Sequence, residues 1–277
     1  MSQAPTTIPS GLLSAVADGV RIVELGQPHF TNMPCSPNHP GFRMTLIRRH
    51  GDMMRPDGGS AANEIIVTGG HVGTHVDALS HVSHNGKLHG GVDAAEAQAG
   101  GSFRELGADA TPAMLCRGVL LDVAGAHGVD VLPAGYGVTA VDLEAAAERA
   151  GVEVRAGDVA LIRTGWARNF HDAAAYLSVT DGVPGPTPDA AEWLAARGVR
   201  ATGADTTAYE QIPAGAGHRV LPVHRILLVD AGIYIIEHLA LEDAAAQGLT
   251  EFVFVLAPLR IVGGTGSPVR PFAAVQA

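Results

Sequence analysis

The sequence predicts an α/β fold organised around a mixed sheet. Two observations carry that expectation. In the second half, short apolar runs of strand-forming residues alternate with capped helical stretches, as they do where helices pack on a sheet. No linker rich in Ser, Gly or Pro divides the 277 residues, and no repeat or low-complexity segment stands out. One domain over 1–277 is therefore expected, with residues 1–20 as a loose or weakly helical lead-in.

Taken in order, "RIVEL" (21–25) reads as a short strand. "GQPHFTNMPCSPNHPGF" (26–42) carries four prolines and two glycines and reads as a long loop. "RMTLIRRH" (43–50) and "NEIIVTGG" (63–70) read as strands around a turn or hairpin loop. In that loop, Met53 and Met54 read as gap-filling apolar residues. "GVLLDVAG" (118–125) and "GDVALIRTGW" (157–166) are continuous apolar runs, the mark of strands buried on both faces. "VRATGAD" (199–205), "GIYIIE" (232–237) and "FVFVLAPL" (252–259) are further strands.

Three helices lie between them. "TAVDLEAAAERAG" (139–151) begins with Thr139 and Asp142 in capping-box spacing and ends on Gly151. "TPDAAEWLAARG" (187–198) places Pro188 at the first helical position and Gly198 past the end. "LALEDAAAQG" (239–248) is the third. Asp122, Asp158 and Asp205 read as acids that satisfy backbone groups in turns, and Asp205 also as a strand-end site candidate.

Composition excludes several function classes. Hydrophobic residues make up 47% and charged residues 17%, which suits a folded domain with a sizeable core. The formal net charge of -10, with no run of Lys and Arg, argues against a nucleic-acid or anionic-membrane surface. Cys35 and Cys116 are far apart and form no C-x-x-C, which suggests a reducing compartment without excluding one bridge. The first twenty residues lack a basic n-region, and no apolar run approaches the roughly 20 residues that span a bilayer. A cytoplasmic location is the default expectation.

The stretch "GGHVGTHVDALSHVSHNGKLHGG" (69–91) concentrates five of the thirteen histidines. It reads as a metal site, a pH sensor or a polar surface loop. His71, His75 and Asp77 have the spacing H-x-x-x-H-x-D. The glycines around His71 disfavour a helix there, so a strand end or turn is expected, with His75 and Asp77 on one side at period two. Two imidazoles and a carboxylate suit a borderline divalent cation, and His81 follows within reach. His224 and Glu237 are late partners, Glu237 because it ends an apolar strand where α/β sheets gather their sites. His84 and His89 read as surface loop residues. His29, His39, His50, His127 and His171 read as isolated and without chemistry. Glu237 alone reads equally as a strand-terminal salt-bridge partner.

The segment "HVGTHVDALSH" resembles the signature of the cyclase family, H-x-G-T-H-x-D-x-P-x-H, which includes bacterial kynurenine formamidases and isatin hydrolases. "GDVALIRTGW", "ATGADTTAYE" and "HRILLVDAGIYIIEHL" extend the resemblance over roughly residues 20–262. It implies a single domain of the swivelling β/β/α type and metal-dependent hydrolysis of an amide. It implies His71, His75, Asp77, His224 and Glu237 as ligands of one or two divalent ions, Mn²⁺ or Zn²⁺, and His81 as the catalytic acid–base. A homodimer and a small-molecule substrate are expected on the same ground. Leu79 stands where the signature has proline, and His218 rivals His224 for the late ligand. "DTTAYE" replaces "D-T-x-S-x-D", with Ala208 and Glu210 in place of the serine and second acid. That departure, with "NGKLHGG" after His81, favours ring opening of a lactam, as in isatin hydrolases, over N-formylkynurenine hydrolysis. Phe30 and Tyr209 are expected to line the substrate pocket, although Tyr209 equally reads as packed. The competing classes are a metal-storage or sensing protein and a histidine pH switch.

Overall fold

The computed structural model describes residues 10–277. Eleven strands of three or more residues occur among them: β1 (Val20–Glu24), β2 (Arg43–Arg48), β3 (Asn63–Val67), β4 (His75–Asp77), β5 (Met114–Asp122), β6 (Val159–Arg163), β7 (Ala201–Ala204), β8 (Tyr234–Glu237), β9 (Glu251–Leu256), β10 (Gly266–Pro268) and β11 (Phe272–Gln276). Nine form one mixed sheet in the order β1-β11-β9-β5-β6-β7-β8-β4-β10. Its four central strands, β5 to β8, run parallel. Every other neighbour in it is antiparallel. β2 and β3 form a separate antiparallel hairpin, shorter at its distal ends than the apolar runs suggest.

The central strands are apolar without alternation because both of their faces are covered. Val119, Leu121, Ala160, Ile162 and Ile235 belong to one core, while Leu120, Val159, Leu161 and Ile236 belong to the other. The first core packs under the helices Ala140–Ala150 and Pro188–Arg197 and the helical run formed by Pro222–His224 and Arg225–Ala231. The second holds Leu239, Leu241, Phe252 and Phe254.

The helix ends follow local chemistry. Thr139 and Asp142 exchange the two bonds of a capping box, and Gly151 and Gly198 close the two long helices. Asp122 ends β5 earlier than the apolar run suggests, because its carboxylate accepts from Gly125 N at 3.0 Å and starts a helix at Val123–Ala126. Asp158 accepts from Arg155 N at 2.8 Å, as a turn acid does, and also pairs with Arg117. The expected helix 239–248 contracts to Glu242–Ala246, since Leu239 and Leu241 are drawn into the core. The run "HRILLVD", apolar enough for a strand, is instead wound as a π-helix over Arg225–Ala231. The lead-in holds a helix at Ser10–Ala17. Met53 and Met54 fill no gap: they are exposed.

Candidate metal centre

β4 is the scaffold of the histidine cluster. It is hydrogen-bonded on both sides, to β8 and β10. Alternation sends Val76 into the core and leaves His75 and Asp77 together on the other face. The register sets Glu237 directly across from His75. The turn before β4 depends on Gly73, at φ +65°, where a Cβ would lie 2.6 Å from His29 Nε2 and 2.7 Å from Met33 Cε.

His75 and His224 are each held by one nitrogen. His75 Nδ1 donates to Gly73 O at 2.7 Å, which leaves Nε2 facing Asp77 Oδ1 at 3.5 Å and Glu237 Oε2 at 3.6 Å. His224 Nδ1 donates to Glu210 Oε1 at 2.6 Å, and its Nε2 lies 3.2 Å from Glu237 Oε1 and 3.6 Å from Asp77 Oδ2. His71 Nδ1 lies 2.8 Å from Asp77 Oδ1 and its Nε2 2.9 Å from Thr265 Oγ1. The spacings from His75 Nε2 to both carboxylates and from His224 Nε2 to Asp77 are long for hydrogen bonds. Two ligand atoms each about 2.1 Å from a tetrahedral ion lie about 3.4 Å apart, so these spacings suit a cation. Asp77 Oδ2 is buried with no hydrogen-bond partner, a costly state for a carboxylate oxygen unless an ion takes it up. Both carboxylates turn one oxygen towards His75 and the other towards His224. His71, Asp77 and His81, and likewise Asp77, His224 and Glu237, form groups whose ligand atoms lie within 4.8 Å of one another.

The electrostatics are those of a site prepared for positive charge. Burial works against ionisation of Asp77, but hydrogen bonds from His71 and His75 hold its carboxyl well below the usual range. Burial also opposes charge on His224. Hydrogen bonds donated to Glu210 and Glu237 and the charges of Glu237 and Asp77 win, and raise it to about 10. His81 goes the other way, to about 3, through burial and the neighbouring imidazoles, against the pull of Asp77. Its ring stacks on His71 with centroids 3.9 Å apart. A divalent cation held by His75 and His224 would take the place of their Nε2 protons.

His71, His75, His81, His224 and Glu237 line a cavity of about 200 Å³, together with Ser36, Asn38, His39, Thr207, His218 and His238. Residues 23–211, from β1 through the histidine signature to Gln211, match the Cyclase family model. The chain belongs to the cyclase family. A curated isatin hydrolase from Roseibium aggregatum is 33% identical over 137 residues, covering 48% of this chain and 51% of that protein. The chain thus spans about half the length of the curated relative it matches. A crystal structure of a novel cyclase superposes with a TM-score of 0.83 at 29% identity, over 96% of this chain and 93% of that one. Isatin hydrolase A from Ralstonia solanacearum superposes with a TM-score of 0.75 at 27% identity, over 98% and 100%.

In this cyclase-family protein the two late candidates separate. His224 converges on Asp77 and Glu237, whereas His218 lies on the cavity wall outside the ligand groups. Asp205 does not join the cluster: it accepts from Thr164 N, Thr164 Oγ1 and Gly165 N and ties two loops together. Tyr209 is packed, with its hydroxyl 2.8 Å from Thr202 Oγ1 in the core, and does not line the cavity. Phe30 lies beside Phe170 and stacks on His171, so the loop 26–42 meets the cavity through Ser36, Asn38 and His39 instead. His39, expected to be isolated, stacks on His71 at 5.3 Å. His29 bonds Val72 O, His50 bonds Ser60 and His127 pairs with Asp142. His89 is tethered to Val229 O rather than lying free on the surface.

His238 was not legible as a site residue. Strand alternation turns the residue after Glu237 to the opposite face. A left-handed φ of 55° at His238 instead brings its ring to the cavity, where Nδ1 is buried and unpartnered. Its ligand atom falls within 4.8 Å of those of His75 and Glu237. Its position beside Glu237 in "IIEHL" was the one signal.

Proposed function

We propose that this protein is a metal-dependent amide hydrolase that opens a small cyclic amide, with isatin as the reference substrate. The observation that carries the reading is that His75, His224, Asp77 and Glu237 face one another in a buried cluster, with His71 on Asp77 and His81 stacked on His71. The similarity to isatin hydrolases supports the substrate class.

His71, His75, Asp77, His224 and Glu237 would hold one or two divalent ions, Mn²⁺ or Zn²⁺. Such an ion polarises the amide carbonyl and eases the deprotonation of water. His81, whose ring burial and the neighbouring imidazoles keep neutral, is the proton carrier. It takes a proton from the attacking water as the new C–O bond forms. It then delivers that proton to the ring nitrogen as the C–N bond breaks, giving the open-chain amino acid. Without that delivery the departing nitrogen would leave as an amide anion, which is too basic to go. His39 and His238, both shifted down by burial and by nearby imidazoles, keep the wall polar without adding positive charge.

Elemental analysis of purified protein, followed by assays on isatin and N-formylkynurenine with and without chelator, tests the reading. Chelator-sensitive isatin hydrolysis is the expected result. Turnover of N-formylkynurenine alone would shift the substrate to a formamide. Metal-replete protein that hydrolyses neither would remove both substrates. The homodimer implied by the resemblance is part of the proposal, and the exposed β2–β3 hairpin is the surface it would cover.

A further inference from the structure

We propose that Glu210 is the positioning residue for His224 and that its carboxylate sets how tightly the His224 side of the centre holds a divalent cation. The inference rests on the metal-hydrolase reading and adds a residue outside the converging ligands.

Glu210 is 1% exposed. A carboxylate so deeply buried needs compensation, and all of its recorded polar contacts run to one place. Oε1 accepts from His224 Nδ1 at 2.6 Å and from His224 N at 2.9 Å, while Oε2 accepts from Val223 N at 3.1 Å. Glu210 thus grips the ligand through its ring and its backbone together. With the Nδ1 proton committed to Glu210, the Nε2 lone pair has one direction left, towards Asp77 and Glu237.

The other two imidazoles are steadied by neutral oxygens on their outer nitrogens, His75 by Gly73 O and His71 by Thr265 Oγ1. Only His224 among the three has a full carboxylate outside the ligand set, and a charged acceptor raises the basicity of the opposite nitrogen. Glu210 is itself fixed from behind. Tyr209, at a φ of 56°, turns the chain and anchors it through Thr202. The residue considered as a substrate contact is therefore the anchor for the group that orients a ligand.

The rival role is purely structural: capping of the first turn of the helical run from Pro222, through the same two backbone N–H groups. Chelator competition with Mn²⁺ and with Zn²⁺ separates the two on the full chain, using wild type, Glu210→Gln and Glu210→Asp, with thermal unfolding of each metal-free protein alongside. Glu210→Gln is expected to weaken metal binding by about 10- to 100-fold. Glu210→Asp, which keeps the charge on a shorter arm, is expected to fall in between. Excess metal should restore much of the turnover lost by Glu210→Gln. Metal affinity of Glu210→Gln within two-fold of wild type overturns the proposal, whatever happens to the unfolding temperature. Should Glu210→Gln fail to fold, the neutral Glu210→Asn takes its place, and wild-type affinity there overturns the proposal. Wild type that binds neither ion removes the metal reading itself, and this inference with it.

Discussion

At the scale of single residues, the centre separates two kinds of histidine. His75 and His224 have one nitrogen tied back and the other aimed at carboxylates, as a ligand requires. His81 is stacked on His71 yet shares a possible ligand group with it and Asp77, so its role needs a discriminating variant. Asp77→Ala is expected to lose metal and activity together, read by elemental analysis and assay. His81→Ala is expected to keep its metal and lose about 10²- to 10⁴-fold in rate, or ~3–5 kcal/mol of barrier. A His81→Ala protein stripped of metal would make His81 a ligand instead. The pH profile gives a second test. Because the folded pKa of His81 is depressed to about 3, its neutral form persists as pH falls through 6.5. The sign is that of a base protonated only in strong acid, so His81 should add no acid limb near pH 6.5 to kcat/KM. A limb there that disappears in His81→Gln would show an ordinary imidazole.

At the scale of elements, the scaffold rests on a few local devices. Thr139→Ala removes one side of the capping box on helix Ala140–Ala150 and is expected to cost about 1 kcal/mol in denaturant unfolding, with metal binding unchanged. Gly73→Ala has a larger reach. A left-handed backbone and a Cβ pressed on His29 and Met33 should cost roughly 1–3 kcal/mol. Gly73 O also holds His75 Nδ1, so this variant is expected to lose metal affinity as well, measured by chelator competition. The capped helices, the buried central strands and the placement of His75 and Asp77 on one strand face were legible, because caps and periodicity are local signals. β10, β11 and the π-helix over Arg225–Ala231 were not. β10 and β11 follow Gly- and Pro-rich turns and are short, and the π-helix is as apolar as a strand.

At the scale of the whole molecule, the nine-stranded sheet leaves the β2–β3 hairpin outside it. Both of its faces are bare: Leu46 and Ile47 are 44% and 64% exposed, and Ile65 and Ile66 are 49% and 55% exposed. An isolated two-stranded hairpin is marginal in water, and an apolar patch of this kind marks an interface. The proposed homodimer would cover it. Light scattering should then report a dimer for wild type and a monomer for the Ile47→Glu, Ile65→Glu double variant, with circular dichroism unchanged. A wild-type monomer at micromolar concentration would remove the homodimer. Among the described residues, no helix is long and apolar enough to cross a membrane.

What the sequence by itself determined is the local part of the chemistry: a compact histidine and aspartate signature, strand runs buried on two faces, and helices with their caps. Each is written in neighbouring residues, because backbone period and capping act over a few positions. Only the tertiary structure decided which distant groups meet that signature. Glu237 lies across from His75 through strand register, His224 rather than His218 swings in from a helical run, and Glu210 stands behind it. His39 and His238 arrive through a loop and a left-handed turn. Register, turn handedness and loop closure are settled by packing between segments far apart in the chain, as where Thr74 Oγ1 donates to His238 O at 2.6 Å, and no local pattern encodes them.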